Sequence, residues 1–265
     1  MSDTSQSIPA PSAGPARWLT LVATAAGNLY LILGSLLLSI FGISLSWIPP
    51  RGSWMFAAMR LWANALLSSS MVQVEVRRDP ALDPAKSYVF LCNHQSLYDI
   101  PVLLATCPGP IRMVAKRGLF QIPIFGWGLT AGGFIPVDRA DRSTARQTFA
   151  SAAERLRAGT SVLMFPEGTR APDDVLLPFQ RGGFLLALKS GLPIVPVGIR
   201  GTRAIRPRGG FLIQPGKAVI TYGAPLQTAE YGLRRKRELI AEVRRQVAAL
   251  AELELPADED AAAEA

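Results

Sequence analysis

The feature that most constrains this chain is a run of 33 residues, Trp18 to Pro50, that contains no charged side chain. A cleavable signal peptide has an apolar core of roughly 7–15 residues behind a basic start, so this run is about twice too long for one. As a single helix, about 30 residues reach roughly 45 Å, against a hydrocarbon core of about 30 Å. We therefore expect the segment to be retained and to tilt, to break near Gly34 or Gly42, or to lie partly in the membrane interface.

A second apolar segment follows the Pro49-Pro50 pair. Residues 53–69 are predicted to form a helix in which Arg60 is the lone charge. This helix carries two tryptophans, and tryptophan is enriched at the headgroup boundary. The sequence thus predicts a helical membrane anchor over residues 17–70, after a Ser-, Pro- and Ala-rich lead-in over 1–16 that is typical of disorder. The alternative is a pair of helices buried in the core of the domain.

Charge is unevenly distributed along the chain. The net charge is +8; residues 1–50 are neutral and residues 252–265 contribute −6, which leaves residues 51–251 with +14. A strongly basic body is suited to an anionic membrane surface or to a phosphorylated substrate. Nucleic acid is not an expected partner, because no helix-turn-helix, zinc-finger or aromatic RNA-binding motif accompanies the charge. Residues 229–250 predict a basic amphipathic helix, and the acidic tail over 253–265 is typical of disorder.

Between the anchor and the tail, over residues 71–252, short apolar runs alternate with amphipathic segments. One of these segments, 143–158, predicts a helix that Gly159 closes. Strands separated by helices predict an α/β domain with a mostly parallel central sheet flanked by helices, and such sheets bind ligands beyond the carboxyl ends of their strands. The six predicted strands lie in 88–93, 111–116, 133–138, 161–166, 193–199 and 217–223.

The stretch NHQSLYD, residues 93–99, contains the only histidine of the chain. Ser96 to Asp99 match an S-x-x-[DE] capping box, which places His94 just before a helix and able to fold back toward Asp99. A carboxylate there holds one imidazole nitrogen as N–H and leaves the other free as a base. The alternative is that Asp99 only caps a helix and His94 only ends a strand. The motif alone leaves both interpretations open.

Three further motifs follow in a fixed order: GGFIPVDR (132–139), FPEGTR (165–170) and V-P-V (195–197). The polar residues of the first two lie just past predicted strands, whereas V-P-V lies within one. Together with the H-x4-D pair, their order and spacing resemble the bacterial 1-acyl-glycerol-3-phosphate acyltransferases of the glycerolipid acyltransferase superfamily. The resemblance covers roughly residues 50–225. An H-x4-D pair alone is a weak indication; followed some seventy residues later by PEGTR, it is highly specific.

This resemblance implies roles for particular residues. His94 would be the general base and Asp99 its orienting carboxylate. Arg139, joined by Lys116, would contact the phosphate of the acceptor, and Glu167 would accept hydrogen bonds from its loop or from the acceptor's hydroxyl. The expected substrate-binding residues are completed by Gly168, Thr169 and Arg170.

The implied reaction moves a fatty acyl chain from an acyl-CoA or acyl-carrier-protein thioester to the 2-hydroxyl of 1-acyl-sn-glycerol-3-phosphate, giving phosphatidic acid. No cofactor and no metal are expected, because a thioester is already activated and the two cysteines, Cys92 and Cys107, lack a metal-binding spacing. The expected partners are a membrane lipid acceptor, the thioester donor and an anionic membrane surface. The expected location is the cytoplasmic face of the cell membrane.

Three alternatives compete with this mechanism. A covalent acyl-serine route through Ser96 is disfavoured, because Ser96 lies two residues from His94 and outside a G-x-S-x-G elbow. A different lyso-lipid acceptor, such as lyso-ornithine lipid, fits the same motifs. A non-catalytic membrane adaptor would explain the basic surface, although it would need none of the motif residues.

Overall fold

The structure, a computed structural model, describes residues 16–46, 53–138, 148, 152 and 161–255. Arg139, most of the helix predicted over 143–158, and nearly all of the two terminal segments predicted to be disordered therefore lie outside the described residues. The helices are α1 (Arg17–Leu45), α2 (Ser53–Ser69), α3 (Asp99–Thr106), α4 (Phe125–Ala131), α5 (Gly182–Ser190), α6 (Thr202–Ile205) and α7 (Lys236–Ala251).

A seven-stranded sheet forms the centre of the described part, in the order β1-β7-β6-β2-β5-β3-β4. Every neighbouring pair is parallel except β6 and β7. The mostly parallel α/β fold is thereby confirmed. The strands are β1 (Val72–Arg78), β2 (Val89–Cys92), β3 (Ile111–Lys116), β4 (Ile135–Val137), β5 (Ser161–Met164), β6 (Ile194–Arg200) and β7 (Gly216–Tyr222).

Six of these strands lie where apolar runs predicted them; β1 was not predicted. Its sequence, VQVEVRR, alternates apolar and polar residues, as expected of a half-buried strand. Because it lies at the edge of the sheet, it lacks the continuous apolar run by which the buried central strands were recognised. Alternation over Val72, Val74 and Val76 was the pattern that could have revealed it.

Two apolar clusters cover the two faces of the sheet. One contains the inward side of α1, α2 and α3 with Phe90 of β2 and Ile220 of β7. The other contains α5 and α7 with Leu91 of β2. Successive residues of β2 thus enter opposite clusters, as the two-residue period of a strand requires. The described helices therefore form layers on both faces, and the strand ends are left to form a site.

Helix α1 turns its large apolar side chains outward, the reverse of a helix in the core of a soluble protein. Its buried residues are small or polar: Ala23, Thr24, Gly27, Asn28, Ser39 and Gly42. Its large apolar residues face outward, with Leu29, Ile32 and Leu37 each more than 60% exposed. The helix is continuous through both glycines at which a break was expected, Gly34 and Gly42. Among the described residues, it is the one helix long and apolar enough to cross a membrane. Of its most apolar 18-residue stretch, only 17% is buried against the rest of the protein.

Helix α2 combines the two interpretations offered for it. Its inner face contributes Met55, Phe56 and Leu67 to the core beside α3. Its outer face exposes Trp54 (58%) and Leu61 (73%). Because the inner face belongs to the same core as the strands, α2 is structurally a part of the α/β domain.

Candidate active site

His94 and Asp99 form a direct hydrogen-bonded pair at the carboxyl end of β2. The distance from His94 Nδ1 to Asp99 Oδ2 is 2.7 Å. The Asp99 side chain is fully buried, whereas 15% of the His94 side chain is exposed. A neutral imidazole that donates from Nδ1 to a carboxylate has an unprotonated Nε2, and such a nitrogen accepts protons. The geometry is that of a general base held in one tautomer.

The Asp99 carboxylate is held by main-chain donors as well. The N–H groups of Gln95 and Ser96 donate to the same Oδ2, at 2.7 and 2.9 Å. Ser96 Oγ accepts from Tyr98 N at 3.1 Å and not from Asp99 N, so only the carboxylate half of the predicted capping box is present, and Tyr98, not Ser96, is the N-cap residue. The regular helix begins only at Asp99, because residues 97 and 98 form a turn.

The hydroxyl of Ser96 is not directed at His94. Ser96 Oγ donates to the carbonyl oxygen of Arg206 at 2.6 Å, and the residue is fully buried. A serine nucleophile would instead donate to the base and face the substrate. The contacts of Ser96 are therefore structural and do not favour an acyl-serine route.

Two polar residues that sequence reasoning did not select complete the surroundings of the pair. Asn93 makes two side-chain hydrogen bonds to the main chain of Ile199, both at 2.8 Å, and extends the β2–β6 pairing at the point where the chain turns toward His94. Thr202, which is fully buried, donates from Oγ1 to Asp99 Oδ1. Each partner lies more than 100 residues away in the sequence, so no local pattern could indicate either contact.

Glu167 fastens the PEGTR loop to the His94 loop. Its Oε1 accepts from His94 N at 2.6 Å and its Oε2 accepts from Leu177 N at 3.0 Å. Only 4% of the residue is exposed, and burial raises the pKa of its carboxyl group to about 7 against the effect of these two donors. Of the two roles expected for Glu167, these bonds correspond to holding the loop. Phe165 of the same loop stacks on the His94 ring, with centroids 3.9 Å apart.

The remaining residues of the PEGTR loop are more open. Gly168 has a φ of +75°, a conformation that favours glycine, and its N–H donates to Phe165 O at 3.1 Å in a tight turn. Thr169 is exposed and Arg170 is half-buried. The main-chain oxygen of Arg170 accepts from Arg208 at 3.1 Å. The turn thus places two polar side chains outside the buried Glu167.

The sheet order determines how the predicted phosphate contacts lie relative to His94. Lys116 is exposed and ends β3, which is two strands from β2. Neighbouring strands are about 4.8 Å apart, so β3 ends about 10 Å from β2. Arg139 follows β4, the next strand out, and lies outside the described residues. The buried residues of the V-P-V motif lie within β6, which pairs with β2 and supports the His94 loop from the other side.

Cys92 directly precedes the NHQSLYD stretch and is fully buried. Burial, followed by the negative charges of Asp99 and Glu167, raises the pKa of its thiol well above the usual range. A reactive cysteine requires the opposite shift, because the thiolate is the nucleophile. Cys92 is therefore a packing residue of β2.

Known proteins share this fold, in which a His–Asp pair lies at the carboxyl edge of a mostly parallel sheet. An acyltransferase family model, "Acyltransferase", matches residues 73–200. In solved structures, the chain resembles the 1-acyl-sn-glycerophosphate (LPA) acyltransferase PlsC from Thermotoga maritima, with a TM-score of 0.73, 25% identity, and coverage of 88% of this chain and 95% of that one. These matches define the class as an α/β acyltransferase.

Among curated proteins, a 1-acyl-sn-glycerol-3-phosphate acyltransferase from Pseudomonas aeruginosa is 34% identical over 198 residues, covering 72% of this chain and 75% of that protein. One from Escherichia coli is 29% identical over 214 residues, covering 80% and 86%. The chain belongs to the 1-acyl-sn-glycerol-3-phosphate acyltransferase family, which confirms the resemblance carried by its motifs. A chloroplast relative from Brassica napus is 39% identical over 121 residues, 46% of this chain and 35% of that protein; this and the other plant and algal relatives are matched over half their length or less.

Proposed function

We propose that this protein transfers a fatty acyl chain from an acyl-CoA or acyl-carrier-protein thioester to the 2-hydroxyl of 1-acyl-sn-glycerol-3-phosphate, giving phosphatidic acid. The observation that carries the proposal is the 2.7 Å bond between His94 Nδ1 and the buried Asp99 carboxylate. The P. aeruginosa and E. coli relatives are named for action on this acceptor, and their coverage extends over most of both chains.

The chemical step needs one base and no covalent enzyme intermediate. His94 Nε2 accepts the proton of the 2-hydroxyl as that oxygen attacks the thioester carbonyl carbon. The new C–O bond forms, the C–S bond breaks, and the imidazolium returns the proton to the departing thiolate. Asp99 keeps the Nδ1 proton in place and stabilises the positive charge that His94 carries between these two transfers.

The direct test replaces the base. Purified His94→Ala should lose CoA release from acyl-CoA in the presence of lysophosphatidic acid. The alanine side chain cannot accept the proton of the 2-hydroxyl. His94→Gln is a useful companion, since its amide preserves a polar contact without acting as a base. General-base catalysis contributes typically about 10²–10⁴-fold. Near-normal turnover in either variant would refute the mechanism.

The basic residues at the same edge of the sheet are assigned to the phosphate of the acceptor. Lys116 ends β3 about 10 Å from the β2 end, a distance that the lysine side chain and the glycerol phosphate can bridge together. Arg139 and Arg170 are assigned from their motifs. A phosphomonoester carries up to two negative charges, and charge-assisted contacts contribute roughly 1.5–3 kcal/mol each.

Arg139→Ala should therefore raise KM for lysophosphatidic acid by about 10- to 100-fold. The matched control is Arg77→Ala, which removes an exposed arginine of the edge strand β1 that pairs with Glu75. A loss confined to kcat would show that Arg139 has another role. A panel of acceptors at fixed donor concentration tests the substrate itself: preference for lyso-ornithine lipid or a zwitterionic lyso-lipid would replace this acceptor by another. A parallel donor panel decides between CoA and carrier protein.

We further propose that α1 lies along the membrane surface and does not cross the bilayer. Thr24 bonds to Ile213 of the loop before β7, and Ser39 is buried on the side of α1 that packs on the domain and α4. Fifteen residues separate these two positions, which is about 22 Å of helix. In a crossing orientation, either the loop before β7 or helix α4 with the turns beside it would enter hydrocarbon, where main-chain polar groups outside regular helices lack partners.

An in-plane helix instead immerses its outward apolar face and keeps its inner face on the domain. Leu29→Ser, Ile32→Ser and Leu37→Ser, combined, should release the enzyme from vesicles while its turnover on detergent-dispersed acceptor is retained. Deletion of residues 1–69 would be a poor test, because it also removes the core residues of α2. Unchanged membrane binding in the triple variant would overturn this placement.

A further inference from the structure

The loop between α6 and β7 presents two large apolar side chains to the outside. Phe211 is 68% exposed and Leu212 is 52% exposed, whereas the next residue, Ile213, is fully buried in the core. The loop is ordered by its own backbone, because Gly210 N donates to Pro207 O at 3.0 Å and Gln214 N donates to Ile205 O at 2.8 Å. Exposing a Phe–Leu pair on a braced turn is costly in water and indicates an apolar partner.

The same loop is fastened to α1 by polar bonds. Asn28 Nδ2 donates to Phe211 O at 3.1 Å, and Thr24 Oγ1 accepts from Ile213 N at 2.9 Å. Arg206, at the start of the loop, donates from Nη1 to Asn28 Oδ1 at 3.0 Å. The main chain at Phe211 and Ile213 is therefore bonded directly to α1, the helix whose outward face is apolar.

We propose that Phe211 and Leu212 form a second membrane contact, inserted at the acyl–headgroup boundary beside α1. This inference rests on the membrane placement proposed above. The exposed Arg208, close by in the same loop, supplies a positive charge at headgroup level, where it is attracted to an anionic leaflet. The bilayer is favoured over a protein partner because the pair belongs to a loop bonded to α1, whose exposed residues from Trp18 to Phe41 are all apolar.

This contact would align the active site with its lipid substrate. The loop begins at Arg206, whose carbonyl oxygen accepts the Ser96 hydroxyl bond at 2.6 Å, so loop and His94 motif are joined directly. Immersing Phe211 and Leu212 therefore fixes the depth of the site as well as the strength of binding. We expect the loop to affect acylation of bilayer-embedded acceptor more than acylation of dispersed acceptor.

The test uses the full-length enzyme and vesicles of phosphatidylcholine with phosphatidylglycerol. Phe211→Ser/Leu212→Ser should weaken vesicle binding by about 10- to 100-fold, since each side chain loses apolar burial. Its turnover on detergent-dispersed acceptor should stay within about twofold, because neither side chain contacts the His–Asp pair. The matched control is Leu233→Ser, a 65% exposed leucine in the segment that precedes α7, on the other face of the sheet.

An environment-sensitive dye on Leu212→Cys gives a direct measurement, because both native cysteines are buried. Its emission should shift to the blue on vesicle addition, whereas the same dye on Leu233→Cys should not respond. Wild-type vesicle binding by the double variant, or a dye that stays in water, overturns the loop contact. If the α1 triple variant also binds normally, the membrane placement itself fails; if wild-type protein is inactive on every acceptor, the proposed function fails.

A second inference has an independent basis in the surroundings of Asp99. Asp99 Oδ2 accepts from His94, Gln95 and Ser96, whereas Oδ1 accepts from the Thr202 hydroxyl. Thr202 begins α6, directly after Gly201, whose φ is +85° and where an added Cβ would lie 2.3 Å from Lys217 O. The backbone therefore leaves Thr202 little freedom to move. We infer that Thr202 is a positioning residue that fixes the rotation of the Asp99 carboxylate and so the orientation of His94.

Thr202→Val keeps the shape of the side chain and removes the donor. We expect kcat to fall by about 10- to 100-fold with KM for both substrates within about twofold, because a carboxylate that rotates more freely holds His94 less firmly. Thr202→Ser, which retains the hydroxyl, should restore kcat. Equal loss of kcat in the Val and Ser variants, or an unchanged kcat in Thr202→Val, would assign Thr202 to packing alone.

Discussion

Asp99→Asn isolates the electrostatic part of the His–Asp pair. An asparagine can place its amide oxygen at the Oδ2 position and keep the bonds from His94 Nδ1 and from the N–H groups of Gln95 and Ser96. Its NH₂ group then faces the hydroxyl of Thr202, which can rotate to accept a hydrogen bond where it donated one before. The variant should therefore fold and keep His94 in place, with the negative charge as the main loss.

The magnitude follows from the separation of the charges. Two unit charges about 4 Å apart interact by about 4 kcal/mol at an effective dielectric constant of 20, which corresponds to roughly 10³-fold in rate if the whole interaction is lost in the transition state. The 15% exposure of the His94 side chain lets water screen part of this interaction. We therefore expect kcat to fall by about 10²- to 10³-fold, with KM for both substrates nearly unchanged.

The assay measures CoA release under saturating lysophosphatidic acid, beside thermal unfolding of the same preparations. Asp83→Asn is the matched control: Asp83 also accepts a main-chain N–H, from Ala85 at 2.9 Å, but lies in the loop before β2, at the other edge of the sheet. The control should retain wild-type kcat. Asp99→Asn with more than about a tenth of wild-type kcat, at wild-type Tm, would refute the electrostatic role of Asp99.

Three further predictions concern the supports of the site. Gly168→Ala should lose about 1–2 kcal/mol of stability and also lower kcat, because a φ of +75° disfavours a side chain. Its control is Gly191→Ala, at φ +73° beyond α5 with open space around it, which should lose similar stability but keep its kcat. Equal kcat in the two variants would contradict a role for the PEGTR loop in catalysis. Asn93→Ala should cost about 2–5 kcal/mol in denaturant unfolding, because two buried main-chain groups of Ile199 lose their partners, and a cost below about 1 kcal/mol would contradict this. Burial raises the pKa of Glu167 from 4.5 to about 7, so the folded state binds this proton more tightly and the free energy of unfolding falls as pH rises from about 4.5 to about 7. The Tm difference between wild type and Glu167→Gln should change over that range and be constant above about pH 8. A pH-independent Tm difference would contradict the titration of a buried Glu167.

Local patterns were sufficient for much of the fold and for the centre of the site. The buried strands were predicted from continuous apolar runs, because a strand covered on both faces must be apolar along its length. The His94–Asp99 contact was one of two open interpretations, and the capping interaction that supports it is local, since Ser96 and Asp99 are three residues apart. Strand β1 was missed although its alternation is visible, because an edge strand carries half as many apolar residues.

The environment of the pair required the tertiary structure. Thr202, Glu167 and Ile199 reach the His94 loop from 73 to 106 residues away, so their partners follow from strand order and not from spacing. Glu167 could be placed in a motif, but its two main-chain donors belong to different loops that meet only in the folded chain.

The sequence by itself determined that residues 18–50 form an apolar, uncharged segment, because composition is a property of the chain. It could not determine which side of that segment faces outward, because a helix orients itself by what its small and polar residues can contact. In the tertiary structure Thr24 and Asn28 find partners in the loop before β7, and the large apolar residues are turned away from the domain. The physical reason is that burial and hydrogen bonding are satisfied between distant segments, whereas propensity and charge are local.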